Sequence, residues 1–293
     1  MRHTEERYIS LLTDFGFKRI FGTKLNKDLL IDFLNSLFNG EQVVKDVTFL
    51  NSERVGDVRT DRKAIFDVYC ENEHGEKFIV EMQNAYQTYF KDRSLYYATF
   101  PIREQAQKGD GWNYKLKHVY VVALLNYDMS DSAFSDDTIN HDIGLLDKQT
   151  HRVFNDKLTF KYVEISKFNK RIEELKTNYD KWLFVLQNLS RLDCQPEYLQ
   201  TAVFNRLFSE AEIAKFTRAE LREYEDSLKA YRDIKNSLDS AEEKGRAEGR
   251  AEGRAEGKKD KAIEIAKNLL EMDIPIDAIM KATGLSSEEV RNI

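Results

Sequence analysis

Cysteine is nearly absent from this chain: Cys70 and Cys194 are the two in 293 residues, too few for a disulfide framework or a zinc site. A long hydrophobic run is missing as well. The longest, Val119–Leu125, falls far short of the roughly 20 residues needed to cross a bilayer, so no membrane partner is expected. The opening residues, Met1-Arg2-His3-Thr4-Glu5-Glu6-Arg7, are charged and have no apolar segment of a secretory signal. With so little cysteine, a reducing cytoplasm is the simplest setting. An excess of positive charge is lacking too. Lys and Arg number 45 against 51 Asp and Glu, a net charge of −6, so any attraction for nucleic acid has to come from a local basic face. The five histidines show no metal-ligand spacing.

What is present suffices for a core, since 41% of the residues are hydrophobic, and the length implies one globular core of about 150 residues with something appended. Residues 26–38 read as an amphipathic helix with Leu30, Phe33, Leu34, Leu37 and Phe38 at helical spacing, Asn26 as its N-cap and Gly40 just past its end. A short extended segment follows at 43–50. Residues 64–70 and 78–84 then read as two strands joined through Glu73-His74-Gly75-Glu76, a polar turn with glycine available for positive φ. The pattern is helical again over 88–108, with Pro101 expected to kink or divide it. The apolar run at 117–126 fits a strand buried on both faces. Residues 127–150 look like loop, 153–163 like a further strand, and everything after 165 looks helical. This order implies an α/β fold, a mixed sheet with helices packed on it.

The expected organisation is a core at 1–165, a helical region at 166–240, a repeat segment at 241–258 and a terminal module at 259–293. From Gly245 to Gly257 the chain repeats Gly-Arg-Ala-Glu. On a helix this puts Arg246, Arg250 and Arg254 at i,i+4, and likewise Glu248, Glu252 and Glu256, so an isolated helix should be weak. A second copy alongside sets arginine against glutamate, and the expectation is a homo-oligomer formed through this tail. The terminal module reads as a helix-turn-helix in which Ser286 and Glu289 form a capping box. Its last helix opens with Glu288 and Glu289, which phosphates repel, so helical packing is expected of it ahead of DNA reading.

The chemistry lies on the hairpin. Strand alternation puts Asp67 opposite in direction to Phe66 and Val68, and puts Glu81 and Gln83 together on the face away from Val80 and Met82. With the turn centred near His74, Asp67 lies across from Glu81, within a cross-strand spacing of about 5 Å. Two such anions repel in a partly buried sheet and one acquires a raised pKa. A divalent cation resolves the conflict. Magnesium, or manganese in its place, takes one or two carboxylates and completes its shell with water and phosphate oxygens, which suits phosphodiester hydrolysis.

Residues 12–126 resemble the Rpn family of recombination-promoting nucleases, the PD-(D/E)XK nuclease family transposases. The likeness rests on residues 13–22 (Thr-Asp-Phe-Gly-Phe-Lys-Arg-Ile-Phe-Gly), Phe66-Asp67-Val68-Tyr69, Val80-Glu81-Met82-Gln83 and Arg93-Ser94-Leu95-Tyr96-Tyr97, with the repeats and Ala282-Thr283-Gly284-Leu285-Ser286 also typical. It implies a restriction-endonuclease-like core with an all-helical C-terminal extension, DNA as the substrate, and a metal-dependent endonuclease used in recombination or with mobile elements. Asp67 becomes the aspartate of the signature, Glu81 its second acid, and Gln83 stands at the lysine position. Glutamine orients a water or a phosphate but brings no charge. Lys63 is the candidate to supply it, with Lys77 and Lys91 behind it. Asp14, in the opening motif, is a candidate extra acid or a capping residue. Arg59, Arg62, Lys91 and Arg93 are candidate DNA-phosphate contacts. Asp32 is expected to face solvent, and Tyr96 and Tyr97 to pack in the core. Two other functions remain open at this level: a catalytically inactive nuclease fold that binds nucleic acid, suggested by the missing lysine, and a self-assembling helical scaffold.

Overall fold

Alternating apolar residues build the central hairpin. In the computed structural model, which describes residues 6–54, 64–106, 113–129 and 137–293, β4 (Val68–Asn72) and β5 (Lys77–Gln83) pair antiparallel from Val68↔Val80 to Glu71↔Lys77. Gly75 closes their turn at φ 75°, a left-handed conformation that costs glycine nothing. Around this hairpin a six-stranded mixed sheet forms in the order β1-β4-β5-β6-β8-β7, with β1 at Val47–Phe49, β6 at Val119–Leu125, β7 at Asn140–Leu146 and β8 at Val153–Glu164. β6 runs parallel to both β5 and β8, and β7 pairs antiparallel with β8 at the edge. A second, two-stranded sheet joins β2 (Glu53–Arg54) to β3 (Ala64–Ile65).

The sheet has a core on each face. Val68, Cys70, Phe78, Val80 and Met82 turn towards α1 (Asp14–Phe21), α2 (Lys27–Phe38), α4 (Asn178–Asn188) and α5 (Ala202–Ala211). Tyr69, Ile79, Val121 and Ala123 turn the other way, beneath α3 (Phe90–Glu104). Each strand feeds both cores because its side chains alternate.

Several expectations need correction. The strand expected over 64–70 is broken at Phe66 and Asp67: Ala64–Ile65 pairs elsewhere, and Phe66 packs with Tyr69, Tyr97 and Phe100 in the α3 core instead of sharing a face with Val68. Residues 140–146, expected as loop, form β7. Ile143, Leu145 and Leu146 are exposed on it, so backbone pairing with β8 holds this edge strand and a buried face does not, leaving little periodicity to read. Of the two outcomes expected at Pro101, a kink or a division, the division does not occur, since α3 runs through it as one helix. Asn26 occupies the N-cap position of α2 without capping it, its side-chain amide donating instead to the Arg19 carbonyl at 3.0 Å. Asp32 does not simply face solvent: its Oδ1 accepts from the fully buried Trp182 indole at 2.6 Å and from Asn178 at 2.7 Å. A polar residue off the apolar stripe of a helix looked solvated only because α4, about 150 positions on, is invisible to local periodicity.

The chain falls into two compact units, Met1–Lys235 and Asn236–Ile293. Packing carries the first past residue 165, since Trp182, Leu183, Phe204 and Leu207 bury into the same core as α1 and α2. Early in α6 (Arg218–Glu271), Tyr224 is buried and accepts from the Ser10 amide at 3.1 Å. The second unit comprises the remainder of α6, α7 (Ile276–Thr283) and α8 (Ser287–Arg291). Its small core holds Ala266, Ile279, Leu285 and Val290, and the capping box of Ser286 and Glu289 forms as read from the sequence. The Gly-Arg-Ala-Glu repeats are helical and exposed throughout. Among the described residues no helix is long and apolar enough to cross a membrane.

Candidate functional site

One step past the Val68↔Val80 pair, the hairpin register brings Asp67 to Glu81. Asp67 sits in the strand break, where its Oδ2 accepts the Met82 backbone N–H at 2.8 Å. The carboxylate takes a ladder position that a backbone carbonyl fills elsewhere, which fixes it at the end of β4. Glu81 lies in β5 on the α3 side of the sheet and is 5% exposed. Gln83, two residues on and so on the same face, donates from Nε2 to Glu81 Oε2 at 3.3 Å.

The electrostatics of the pair are strained. Burial is the first cause that pushes the Glu81 carboxyl up, and the charge of Asp67 is the second. Asp67 is also raised, again chiefly by burial, with the Met82 N–H pulling the other way. Two cationic side chains oppose these shifts, Lys18 from α1 and Arg93 from α3. Both act on the pair by charge. Glu81 Oε1 is buried without a hydrogen-bond partner among the described residues, and so are Nε and Nη2 of Arg93 and the hydroxyl of Tyr127. A buried polar atom left unpaired costs about 1–3 kcal/mol, so a cluster of them marks a place shaped for something other than the fold.

Arg93 is held by its remaining contacts. Its Nη1 donates to Gln87 Oε1 at 2.5 Å, and its guanidinium lies 5.2 Å from the Phe90 ring centroid and 5.7 Å from that of Tyr97. Tyr97 packs edge-on against Phe66 at 5.2 Å, while Tyr96 is 43% exposed, so only the first meets the expectation of core packing. Tyr127, at the end of β6, packs edge-on against the exposed Tyr86 at 5.8 Å.

The fit to a divalent cation rests on these donors. Two adjacent carboxylates, one with an oxygen lacking a partner, provide hard anionic ligands. Among the described residues no group of three or more His, Cys, Asp and Glu gathers to hold a metal, so Asp67 and Glu81 would leave most of the coordination shell to water and phosphate.

The other sequence candidates separate. Lys77 pairs with Glu71 at the turn end of the hairpin, roughly 13 Å along β5 from Glu81 at strand rise. Lys91 is exposed on α3 and lines a different cavity with Ser94, Leu95, His141 and Phe160. Asp14 opens α1 and pairs with Lys18 at 2.7 Å, while Thr13 provides the N-cap; Asp14 bears on Asp67 as a further negative charge. Arg59, Arg62 and Lys63 lie outside the described residues. Lys18 and Tyr127 were not singled out in the sequence. The signal for Lys18 was available, in its i,i+4 spacing from Asp14 within the opening motif.

No curated protein and no solved structure matches the chain significantly. Residues 259–293 match the C-terminal HTH domain of the Rpn/YhgA-like nuclease family, in agreement with the helix-turn-helix shape of α7 and α8. Residues 11–241, which contain the acidic pair, α1 and the whole six-stranded sheet, match the family described as PD-(D/E)XK nuclease family transposase, and the chain belongs to that family.

Proposed function

We propose that this protein is an endonuclease that hydrolyses DNA phosphodiesters with magnesium or manganese held by Asp67 and Glu81. The observation that carries this reading is the buried Glu81 carboxylate with an unpartnered oxygen beside a second raised acid. Such a pair is costly alone and favourable around a cation. When bound, the cation lowers the pKa of a water and neutralises charge on the phosphate. Gln83 holds Glu81 in place and offers its carbonyl to orient the attacking water. Arg93 presents two unpartnered N–H groups to a phosphate oxygen, the geometry at which arginine excels. In the reaction the water oxygen bonds to phosphorus as the bond to the leaving sugar oxygen breaks. One proton leaves the water for solvent and another reaches the leaving oxygen.

Sequence alone favours packing over DNA reading for the terminal module, but its match to an HTH domain supports a DNA contact from it, and the repeat helix brings copies of the chain together. Both serve recombination or mobile elements. Strand cleavage is weakly sequence-selective, because the domain's last helix opens with Glu288 and Glu289, which phosphates repel, and offers no convincing base-reading element. Supercoiled plasmid incubated with the purified protein and magnesium tests the enzyme reading against Asp67→Ala. Nicking by the unmodified protein alone supports it. Equal nicking by both, or by neither, sinks it.

The uncharged Gln83 favours one other reading, a nuclease fold that binds nucleic acid without cutting. Retained DNA binding with no cleavage at any manganese concentration would select it. For the tail, a chain ending at Lys235 should contain fewer copies per particle in solution than the full chain, and an unchanged assembly state would remove the oligomer.

A further inference from the structure

Gln83 leaves the site without the positive charge that a glutamine cannot supply, and of the hairpin candidates Lys77 is spent on Glu71 while Lys91 lines another cavity. The end of β5 is instead approached by α1. Asn84, next after Gln83, donates from Nδ2 to the Leu12 carbonyl at 2.6 Å, and Asn126 Nδ2 donates to Asn84 Oδ1 at 3.3 Å. Thr13 then caps the helix, accepting from the Gly16 amide at 3.0 Å. Gly16 allows the tight entry: a Cβ there would overlap the Ser10 carbonyl oxygen and lie 2.9 Å from Thr13 Oγ1. One turn further, Lys18 lies on the same face as Asp14, its ammonium 2.7 Å from the Asp14 carboxylate.

We infer that Lys18 is a catalytic residue of the proposed hydrolysis, carrying to the scissile phosphate, from the first helix, the positive charge that the glutamine of the Glu-x-Gln hairpin does not bring. The inference rests on the nuclease reading of the same site. Met82, between Glu81 and Gln83, buries in the same core as Phe17, the neighbour of Lys18, and the charges of Lys18 from α1 and Arg93 from α3 both bear on Asp67 and Glu81. Lys18 neutralises charge building on a non-bridging phosphate oxygen as the phosphorus–oxygen bonds exchange, and transfers no proton. Its pairing with Asp14 is not what holds α1 in place. The side chains are 40% and 64% exposed, and exposed ion pairs of this kind contribute little. An ammonium paired only with a solvated carboxylate is free to turn to a substrate.

The test compares the unmodified full-length protein with Lys18→Met, Lys18→Arg and Asp67→Ala, reading plasmid nicking in manganese and, without DNA, manganese binding by calorimetry. Lys18→Met is expected to lower nicking by about 10²-fold, as for removal of one preorganised charge-stabilising group. It should bind manganese as well as the unmodified protein or more tightly, because a repelling charge has gone. Lys18→Arg should recover most of the rate, and Asp67→Ala should lose the metal. Lys18→Met nicking at the unmodified rate overturns the inference, as does Lys18→Met losing manganese together with activity, or Lys18→Arg being as slow as Lys18→Met. Should the unmodified protein fail to nick at all, the nuclease reading itself falls and takes the inference with it, whereas the first three results leave that reading standing.

Discussion

Replacing Glu81 by glutamine should stabilise the metal-free protein and abolish its stabilisation by manganese. The raised Glu81 carboxyl reaches about 8 in the folded chain, from an ordinary value of 4.5. A carboxyl raised on folding contributes stability that is fully present below its unfolded value and is lost as pH rises through the folded one. At pH 7 the unfolded chain has released this proton and the folded chain has not, so about 2.5 pH intervals at about 1.4 kcal/mol each amount to roughly 3 kcal/mol against folding. Glutamine keeps the shape and the contact with Gln83 Nε2, through its own carbonyl, and carries no charge. The gain should therefore approach about 3 kcal/mol near pH 7, and shrink to about 2 kcal/mol near pH 6. For a unit of this size that is a rise of about 5–10 °C in melting temperature.

The assay is urea unfolding of both proteins in a chelator at two pH values, repeated with manganese. A bound cation stabilises the folded state by mass action, so the unmodified protein should gain and Glu81→Gln should not. A Glu81→Gln protein no more stable than the unmodified one near pH 7, or an advantage independent of pH, would refute the picture of a strained acid awaiting a cation. Equal manganese stabilisation of both would move the metal elsewhere.

Further expectations concern the surroundings of the site. Arg93→Met keeps an apolar side chain beside Phe90 and Tyr97 but removes the two unpartnered N–H groups and the bond to Gln87, so filter binding should show DNA affinity reduced by about tenfold, the cost of one charge-assisted contact. Gly16→Ala forces a methyl group onto the Ser10 carbonyl. Overpacking of this kind costs about 1–3 kcal/mol, which urea unfolding would detect together with slower nicking. Asp32→Ala strips the buried Trp182 indole of its acceptor, and the same measurement should register a loss of about 1–3 kcal/mol. An unchanged unfolding midpoint would mean that water replaces the carboxylate there.

How much of this was legible in the sequence follows from how far each interaction reaches. The hairpin was legible because two strands with alternating side chains flank a polar turn containing Gly75, and the turn centre alone sets which residues face each other; Asp67 and Glu81 come together for that reason. The break at Phe66 was not, because an aromatic residue suits either core and only α3, with Tyr97 and Phe100, decides which one takes it. β7 escaped notice because an edge strand is held by backbone pairs that leave no hydrophobic period. Asp32 was misjudged for the converse reason, since a single carboxylate satisfies an indole from a distant helix. Charge around the acids is the hardest part to read. Gln83 announces a missing cation locally, yet its replacements, Lys18 and Arg93, come from helices on either side of the hairpin in sequence and meet it only after the Asn84–Leu12 contact docks α1 at the strand end. If that docking is what brings Lys18 to the acids, Asn84→Ala should slow nicking nearly as much as Lys18→Met while leaving manganese bound, about 10²-fold by the same loss of charge stabilisation. A rate unaffected by Asn84→Ala would mean that α1 holds its place through its buried phenylalanines alone.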